Sequence, residues 1–304
     1  MTTTPRNEPG TVYLVGAGPG DPGLLTLRAV ECLAQADFVL YDYLVNPAIL
    51  RHAPAAAELY GLGHHSVGRA LTPEQIVARM VDEALRGRTV VRLKGGDPSV
   101  FGRGADEVGA LRAAEIPYEI VPGITAGLAV AAYAEIPITH HDDASAIAMI
   151  VGQERHCKVA SGLDYRVLAG FPGTLVFYMG VRTAEHWSRG LIENGKPANT
   201  PVAIVRRCTC AEQQTIRCTL NTVVEVVAEQ GSRPPAIFVI GKVVDRAPQL
   251  SWFAARPWSS PRVLVAGSPA TSERLRARLA SLGAHVFLEP AIRITEPRDW
   301  APVD

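Results

Sequence analysis

The sequence predicts an α/β protein of two successive domains, the first with a largely parallel sheet, and three observations carry that prediction. Apolar runs of four or five residues alternate with helical patterns from Val12 onward. Two of the runs empty into glycine-rich loops, at Gly16-Ala17-Gly18-Pro19-Gly20-Asp21 and Lys94-Gly95-Gly96-Asp97-Pro98. The alternation then breaks at Glu135-Ile136-Pro137, and a second set of strands begins near Ala146.

Taken in order, Val12-Tyr13-Leu14-Val15 and its loop are followed by a helical stretch with Leu27, Val30 and Ala34 on one face, then by Phe38-Val39-Leu40-Tyr41. That is a β-loop-α-β unit. A dinucleotide fingerprint needs glycine where Asp21 stands. Pro19 and Asp21 make this loop stiff and locally negative, which disfavours a phosphate and suits a cationic or zwitterionic ligand. An NAD enzyme stays open as a rival, because Asp42 stands about where such an enzyme places its acidic ribose contact.

Thr72-Pro73-Glu74-Gln75 predicts a helix start, with Thr72 as N-cap, proline at the first position and Gln75 closing a capping box. Ile76, Val77, Met80, Val81 and Ala84 form its apolar face, and the helix ends near Gly87. Val90-Val91-Arg92-Leu93 leads into the second glycine loop, where main-chain groups can approach a ligand unshielded and Asp97 adds an acceptor for a hydroxyl or an amine. A strand at 118–121 and a short apolar helix over 124–134 complete the first domain.

In the second domain, strands are predicted at 146–151, 174–178, 202–205, 215–219 and 236–240, with helices over 184–194 and 221–229. The cleft between the two domains is the expected ligand site. Residues 245–261, with three prolines and two tryptophans, read as a linker to a β-α-β stretch over 262–304.

Composition narrows the function classes. The chain has 304 residues, 47% hydrophobic and 20% charged, enough for sizeable cores. Its 30 basic and 30 acidic residues cancel, so it lacks the basic field of a nucleic-acid binder. No apolar run is long enough to span a bilayer and Met1 to Gly10 is polar, so a soluble, cytoplasmic protein is expected. The five cysteines lack metal-like spacing; Cys208-Thr-Cys210 is the one close pair, and reduced thiols without a metal are the expectation.

Six motifs occur in order between Thr11 and Val244: the first glycine loop, Tyr41-Asp42-Tyr43-Leu44-Val45, Lys94 to Gly104, Val121-Pro122-Gly123-Ile124-Thr125-Ala126, Thr174 to Gly180 and Pro235 to Gly241. Together they closely resemble the tetrapyrrole methylases, in particular those acting on uroporphyrinogen III. The resemblance implies a two-domain fold with the active site in the interdomain cleft. It further implies C-methylation of uroporphyrinogen III at two pyrrole carbons, with S-adenosyl-L-methionine as donor, giving precorrin-2 for sirohaem or cobalamin biosynthesis, and a homodimer. The alternatives are a later corrin-ring methyltransferase and a degenerate homologue that binds cofactor without turnover.

Carried over residue by residue, the resemblance makes Asp42 the proton acceptor. It puts Pro19 beside the methionine portion of the cofactor, Gly95, Gly96 and Asp97 along its amino-acid and ribose groups, and Val100, Thr125, Ala126, Met179 and Cys208 around the rest. The family's Gly-Lys-Arg, whose lysine is the proposed proton donor, is replaced here by Gly63-His64-His65, which makes His64 the candidate donor. Arg206-Arg207-Cys208-Thr209 stands where Glu-x-Gly-Thr is usual, a change that backbone contacts survive only if Cys208 has negative φ. Arg103 and His65, with Arg69, His140 and His141, are candidates to meet the substrate's carboxylates. The stretch 262–304 resembles the opening of uroporphyrinogen-III synthase and is far too short for that whole enzyme.

Overall fold

A computed structural model describes residues 8–63, 71–153, 162–248, 251–259 and 261–291. The first domain runs β1 (Val12–Gly16), α1 (Leu27–Ala34), β2 (Phe38–Tyr41), β3 (Glu58–Gly61), α2 (Pro73–Leu85), β4 (Val90–Lys94), α3 (Gly104–Ala113), β5 (Tyr118–Val121) and α4 (Ala126–Tyr133). Its five strands lie in the order β3-β2-β4-β1-β5 and every pairing is parallel. In a parallel sheet all the strand exits fall on one edge, and here the chain leaves β1 toward one side and β4 toward the other. The loops after β1 and β4 therefore flank the crevice in which open α/β sheets bind ligands.

Side-chain alternation divides the core of this sheet in two. Val15, Val39, Val91 and Leu93 pack under α1, while Leu14, Phe38, Leu40 and Val90 pack with Met80 and Ala84 of α2 and Val108 and Leu111 of α3. The capping box forms as the sequence predicts: Thr72 Oγ1 accepts from Gln75 N, and Gln75 Oε1 accepts from Thr72 N. The expected face of α1 is corrected. Leu27 is 84% exposed, and Ala29, Cys32 and Leu33 form the buried stripe. Both triplets have helical spacing, and the Thr26 cap, which accepts from Ala29 N, starts the helix so that the second faces the sheet.

The second domain runs β6 (Ile147–Val151), α5 (Tyr165–Ala169), β7 (Thr174–Tyr178), α6 (Ala184–Glu193), β8 (Pro201–Arg206), β9 (Gln214–Thr219), α7 (Val223–Glu229) and β10 (Ala236–Ile240). The sheet order is β6-β7-β10-β8-β9, parallel between β6 and β7 and antiparallel elsewhere. One face carries Val176, Tyr178, Val205 and Val239 against Ala129, Val130 and Tyr133 of α4, so a helix of the first domain seals one core of the second. The other face packs on α6 around Trp187, which stacks on Phe177 at 5.0 Å and meets Phe238 edge-on at 5.1 Å. Its indole N–H donates to Gly180 O at 2.9 Å. Trp187→Ala is expected to lower unfolding free energy by about 3–5 kcal/mol, read from urea denaturation, because it leaves a large cavity and an unpaired carbonyl.

Phe253, after the second sheet, is buried in the core shared with α4, 4.8 Å from the Tyr133 ring, and Trp252 Nε1 donates to Ala132 O. Beyond it, β11 (Arg262–Gly267), α8 (Pro269–Ser281) and β12 (His285–Pro290) form a parallel two-stranded β-α-β unit, tied to the first domain by Arg51 and Glu273 at 3.1 Å.

Candidate active site

Three glycine-bearing loops converge on the exit edge of the first sheet. Gly18 and Gly96, with φ of +71° and +70°, exchange backbone hydrogen bonds at 3.1 and 2.8 Å and stitch the loop after β1 to the loop after β4. A side chain at either position would strain the turn. The loop after β5 closes on both, since a Cβ on Gly123 would lie 2.2 Å from Gly96 O and 2.8 Å from Gly16 Cα. Asp97 locks this junction: its Oδ1 accepts from Ser99 N at 2.7 Å and its Oδ2 from Gly123 N at 2.9 Å. The loop after β2 joins through Asn46, whose amide donates to Gly20 O at 2.8 Å.

The second domain closes the other side. Tyr178, the last residue of β7, places its hydroxyl 2.9 Å from Thr125 Oγ1, and that hydroxyl accepts from Gly127 N at 2.9 Å. Asp21 is held from both domains, its N–H donating to Thr209 Oγ1 at 2.9 Å and its Oδ2 accepting from Tyr133 at 2.8 Å. Burial, then the bond to Asp21, push the Tyr133 phenol above its ordinary pKa, so it stays a donor.

The sequence candidates distribute around this junction. Thr125 is buried at the start of α4, and Val100 and Ala126 pack against the same core cluster as Cys208. Gly95, Gly96 and Asp97 form the loop itself, and Pro19 is half-buried in the facing loop. Met179 follows β7 in the left-handed region at φ +55° and is 49% exposed. Arg103 is exposed just before α3. His64, His65 and Arg69 lie outside the described residues. His140 and His141 stack on each other just before β6 and sit among Asp142, Asp143 and Arg246. Because Ile147 pairs with Thr174 in parallel strands, they lie at the opposite end of the second sheet from Met179.

Left-handed φ falls on Arg207 and Thr209, at +47° and +69°, and not on Cys208, so the backbone condition for a side chain there is met. Burial, then the neighbouring Cys210, push the Cys208 thiol up to about 12, and burial also raises Cys210. Both lie in the turn after β8 and not on a strand.

Asp42 stands at the end of β2, and its Oδ1 accepts from Arg92 Nη2 at 2.6 Å. Arg92 and Lys94 are buried on the α3 side of β4, and both reach Glu107 of that helix, Arg92 Nε to Oε1 at 3.0 Å and Lys94 Nζ to Oε2 at 2.8 Å. Sequence reasoning missed all three of these residues. The available signal was a pair of cations inside an otherwise apolar strand. Burial opposes charge on Arg92, but the Asp42 and Glu107 carboxylates outweigh it and hold its pKa above the ordinary value. Burial and then the Arg92 guanidinium press Lys94 below the ordinary lysine value, against the pull of Glu107.

The donor set discriminates between cofactor types. The cradle carries the carboxylates of Asp21 and Asp97, and no lysine or arginine occurs between Gly10 and Leu27. A pyrophosphate would face like charge there, whereas a cofactor bearing a sulfonium and an ammonium finds acceptors and glycine backbone. The residues present fit a cationic cofactor.

Comparison with known proteins agrees. Residues 11–224 match the family model described as Tetrapyrrole (Corrin/Porphyrin) Methylases. The S-adenosyl-L-methionine-dependent uroporphyrinogen III methyltransferase of Methanosarcina barkeri is 45% identical over 235 residues, covering 77% of this chain and 92% of that protein. A siroheme synthase of Xylella fastidiosa is 43% identical over 262 residues, 86% of this chain and 54% of that protein, so the chain spans about half the length of several curated relatives. Among solved structures, a uroporphyrin-III C-methyl transferase of Thermus thermophilus complexed with S-adenyl homocysteine aligns with a TM-score of 0.67 and 38% identity, over 78% of this chain and all of that one.

Proposed function

The chain belongs to the tetrapyrrole (corrin/porphyrin) methylases, and from that premise we propose that it methylates uroporphyrinogen III at two pyrrole carbons, with S-adenosyl-L-methionine as donor, to give precorrin-2. The observation that carries this reading is the glycine cradle at the exit edge of the first sheet, stitched through Gly18 and Gly96 with Asp42 beside Gly95. When bound, the cofactor supplies a methyl group already activated as a sulfonium substituent. Pro19, Gly95, Gly96, Asp97, Val100, Thr125, Ala126, Met179 and Cys208 would hold it in this cleft between residues 11–136 and 137–244.

The chain's own residues then have two tasks. The first is to hold the pyrrole carbon and the methyl group in line, which accounts for most of the acceleration when the donor is already activated. The second is proton management: a pyrrole carbon that gains a methyl must lose a proton from the neighbouring methylene bridge, and Asp42 is the acceptor. His64 stands where the family has its proposed donor lysine, and Arg103 and His65 meet substrate carboxylates. We place the protein in the cytoplasm as a homodimer serving sirohaem or cobalamin formation, with residues 262–304 as a synthase-like segment. None of the described helices is long and apolar enough to cross a membrane.

The test is an anaerobic assay with uroporphyrinogen III and S-adenosyl-methionine, following the mass of the oxidised tetrapyrrole. A gain of two methyl groups is expected. No gain despite tight adenosyl-homocysteine binding would support the second reading, a cofactor-binding homologue without turnover, which the loss of the family lysine at His64 favours.

A further inference from the structure

The four charged groups at the end of β4 form one chain, Asp42–Arg92–Glu107–Lys94, and its exposure is uneven. Arg92, Glu107 and Lys94 side chains are 4%, 7% and 4% exposed, while Asp42 is 30% exposed. Only Asp42 opens toward the cradle, where its Oδ2 lies 3.4 Å from Gly95 N.

Stability does not explain the arrangement. Arg92 sits in register between Leu14 and Leu40, both fully buried, in a sheet face that is apolar apart from it and Lys94. Buried ion pairs are on average no more stabilising than apolar residues of the same volume. The geometry has a second consequence. The planar guanidinium spends Nε on Glu107, Nη1 on the carbonyls of Leu40 and Leu93, and Nη2 on Asp42, so its orientation is fixed at three sides. Glu107 is in turn fixed by Lys94, whose register partner on β1 is Gly16.

We propose that Glu107 is a positioning residue for the methyl-transfer reaction: through Arg92, with Lys94 as its second anchor, it aims the Asp42 carboxylate at the substrate. This rests on the reading of Asp42 as the proton acceptor. Glu107 comes four residues after Arg103 in the motif Gly102-Arg103-Gly104, so the same helix start presents the exposed Arg103 outside and the anchor inside.

The test compares the full-length protein with Glu107→Gln, Asp42→Asn and the double variant, measuring kcat, both KM values and adenosyl-homocysteine affinity. Glu107→Gln is expected to lower kcat by about tenfold to a hundredfold, as a misaimed catalytic group does, with KM and cofactor affinity within about twofold of the parent. The double variant is expected to be no slower than Asp42→Asn, because the two act as one unit. An unchanged kcat in Glu107→Gln, multiplying losses in the double variant, or a matching loss of adenosyl-homocysteine affinity would overturn the positioning role and leave the base intact. Parental kcat in Asp42→Asn would overturn the base and the positioning role together. Should Glu107→Gln not fold, Arg92→Lys decides: it keeps the charge but cannot reach both carboxylates, so the same kcat-only loss is expected, and parental kcat would refute the proposal.

Discussion

Asp42→Asn is expected to slow methylation of uroporphyrinogen III by about 10²- to 10⁴-fold, the usual contribution of a positioned base. Asparagine keeps the size of the side chain, and its amide oxygen can still accept from Arg92, so the fold of the exit edge is retained. What it loses is the ability to take a proton. Adenosyl-homocysteine affinity should stay within about threefold of the parent, since Asp42 touches the cradle only through a long contact to Gly95 N. A large drop in affinity with little change in kcat would place Asp42 among the binding groups instead. Product mass adds a second readout: if the two methylations differ in their need for the base, the singly methylated intermediate accumulates before the doubly methylated product.

Asp42 was marked in the sequence only through the motif Tyr41-Asp42-Tyr43-Leu44-Val45, whose resemblance to the family brings the proton-acceptor role with it. The Thr72 cap was legible because both of its partners lie within three residues. Glu107 was not. Its partners are 13 and 15 residues away on a different element, and Asp42 is 50 residues from Arg92, so only the folded sheet shows that they meet. The same holds for Asp21, whose partners Tyr133 and Thr209 are 112 and 188 residues distant. β3 escaped notice because it is an edge strand whose residues are mostly exposed, which removes the alternation a reader looks for. In the second domain β7 and β10 are buried throughout, and a continuous apolar run carries no sign of strand direction. Its sheet is mainly antiparallel, which periodicity does not reveal.

Gly123→Ala should be the most damaging of the single-methyl additions at this site. Its Cβ would enter at 2.2 Å from Gly96 O and 2.8 Å from Gly16 Cα, both main-chain atoms that no side-chain rotation can move away. The loop after β5 must then shift, and it takes with it the Asp97 contact to Gly123 N on which the loop after β4 depends. Overpacking of this kind costs about 1–3 kcal/mol. Because the strained loops form the cradle, adenosyl-homocysteine affinity should fall by at least about tenfold, equivalent to about 1.4 kcal/mol. Gly109→Ala separates this steric account from any general effect of replacing glycine. A Cβ there meets nothing within 4 Å, and the residue lies inside α3, where alanine is favoured by about 0.5–1 kcal/mol. The two substitutions should therefore move thermal stability in opposite directions, with cofactor affinity changed only by the first. If Gly123→Ala binds adenosyl-homocysteine like the parent, the three loops are not the cradle and the ligand must be held elsewhere in the cleft.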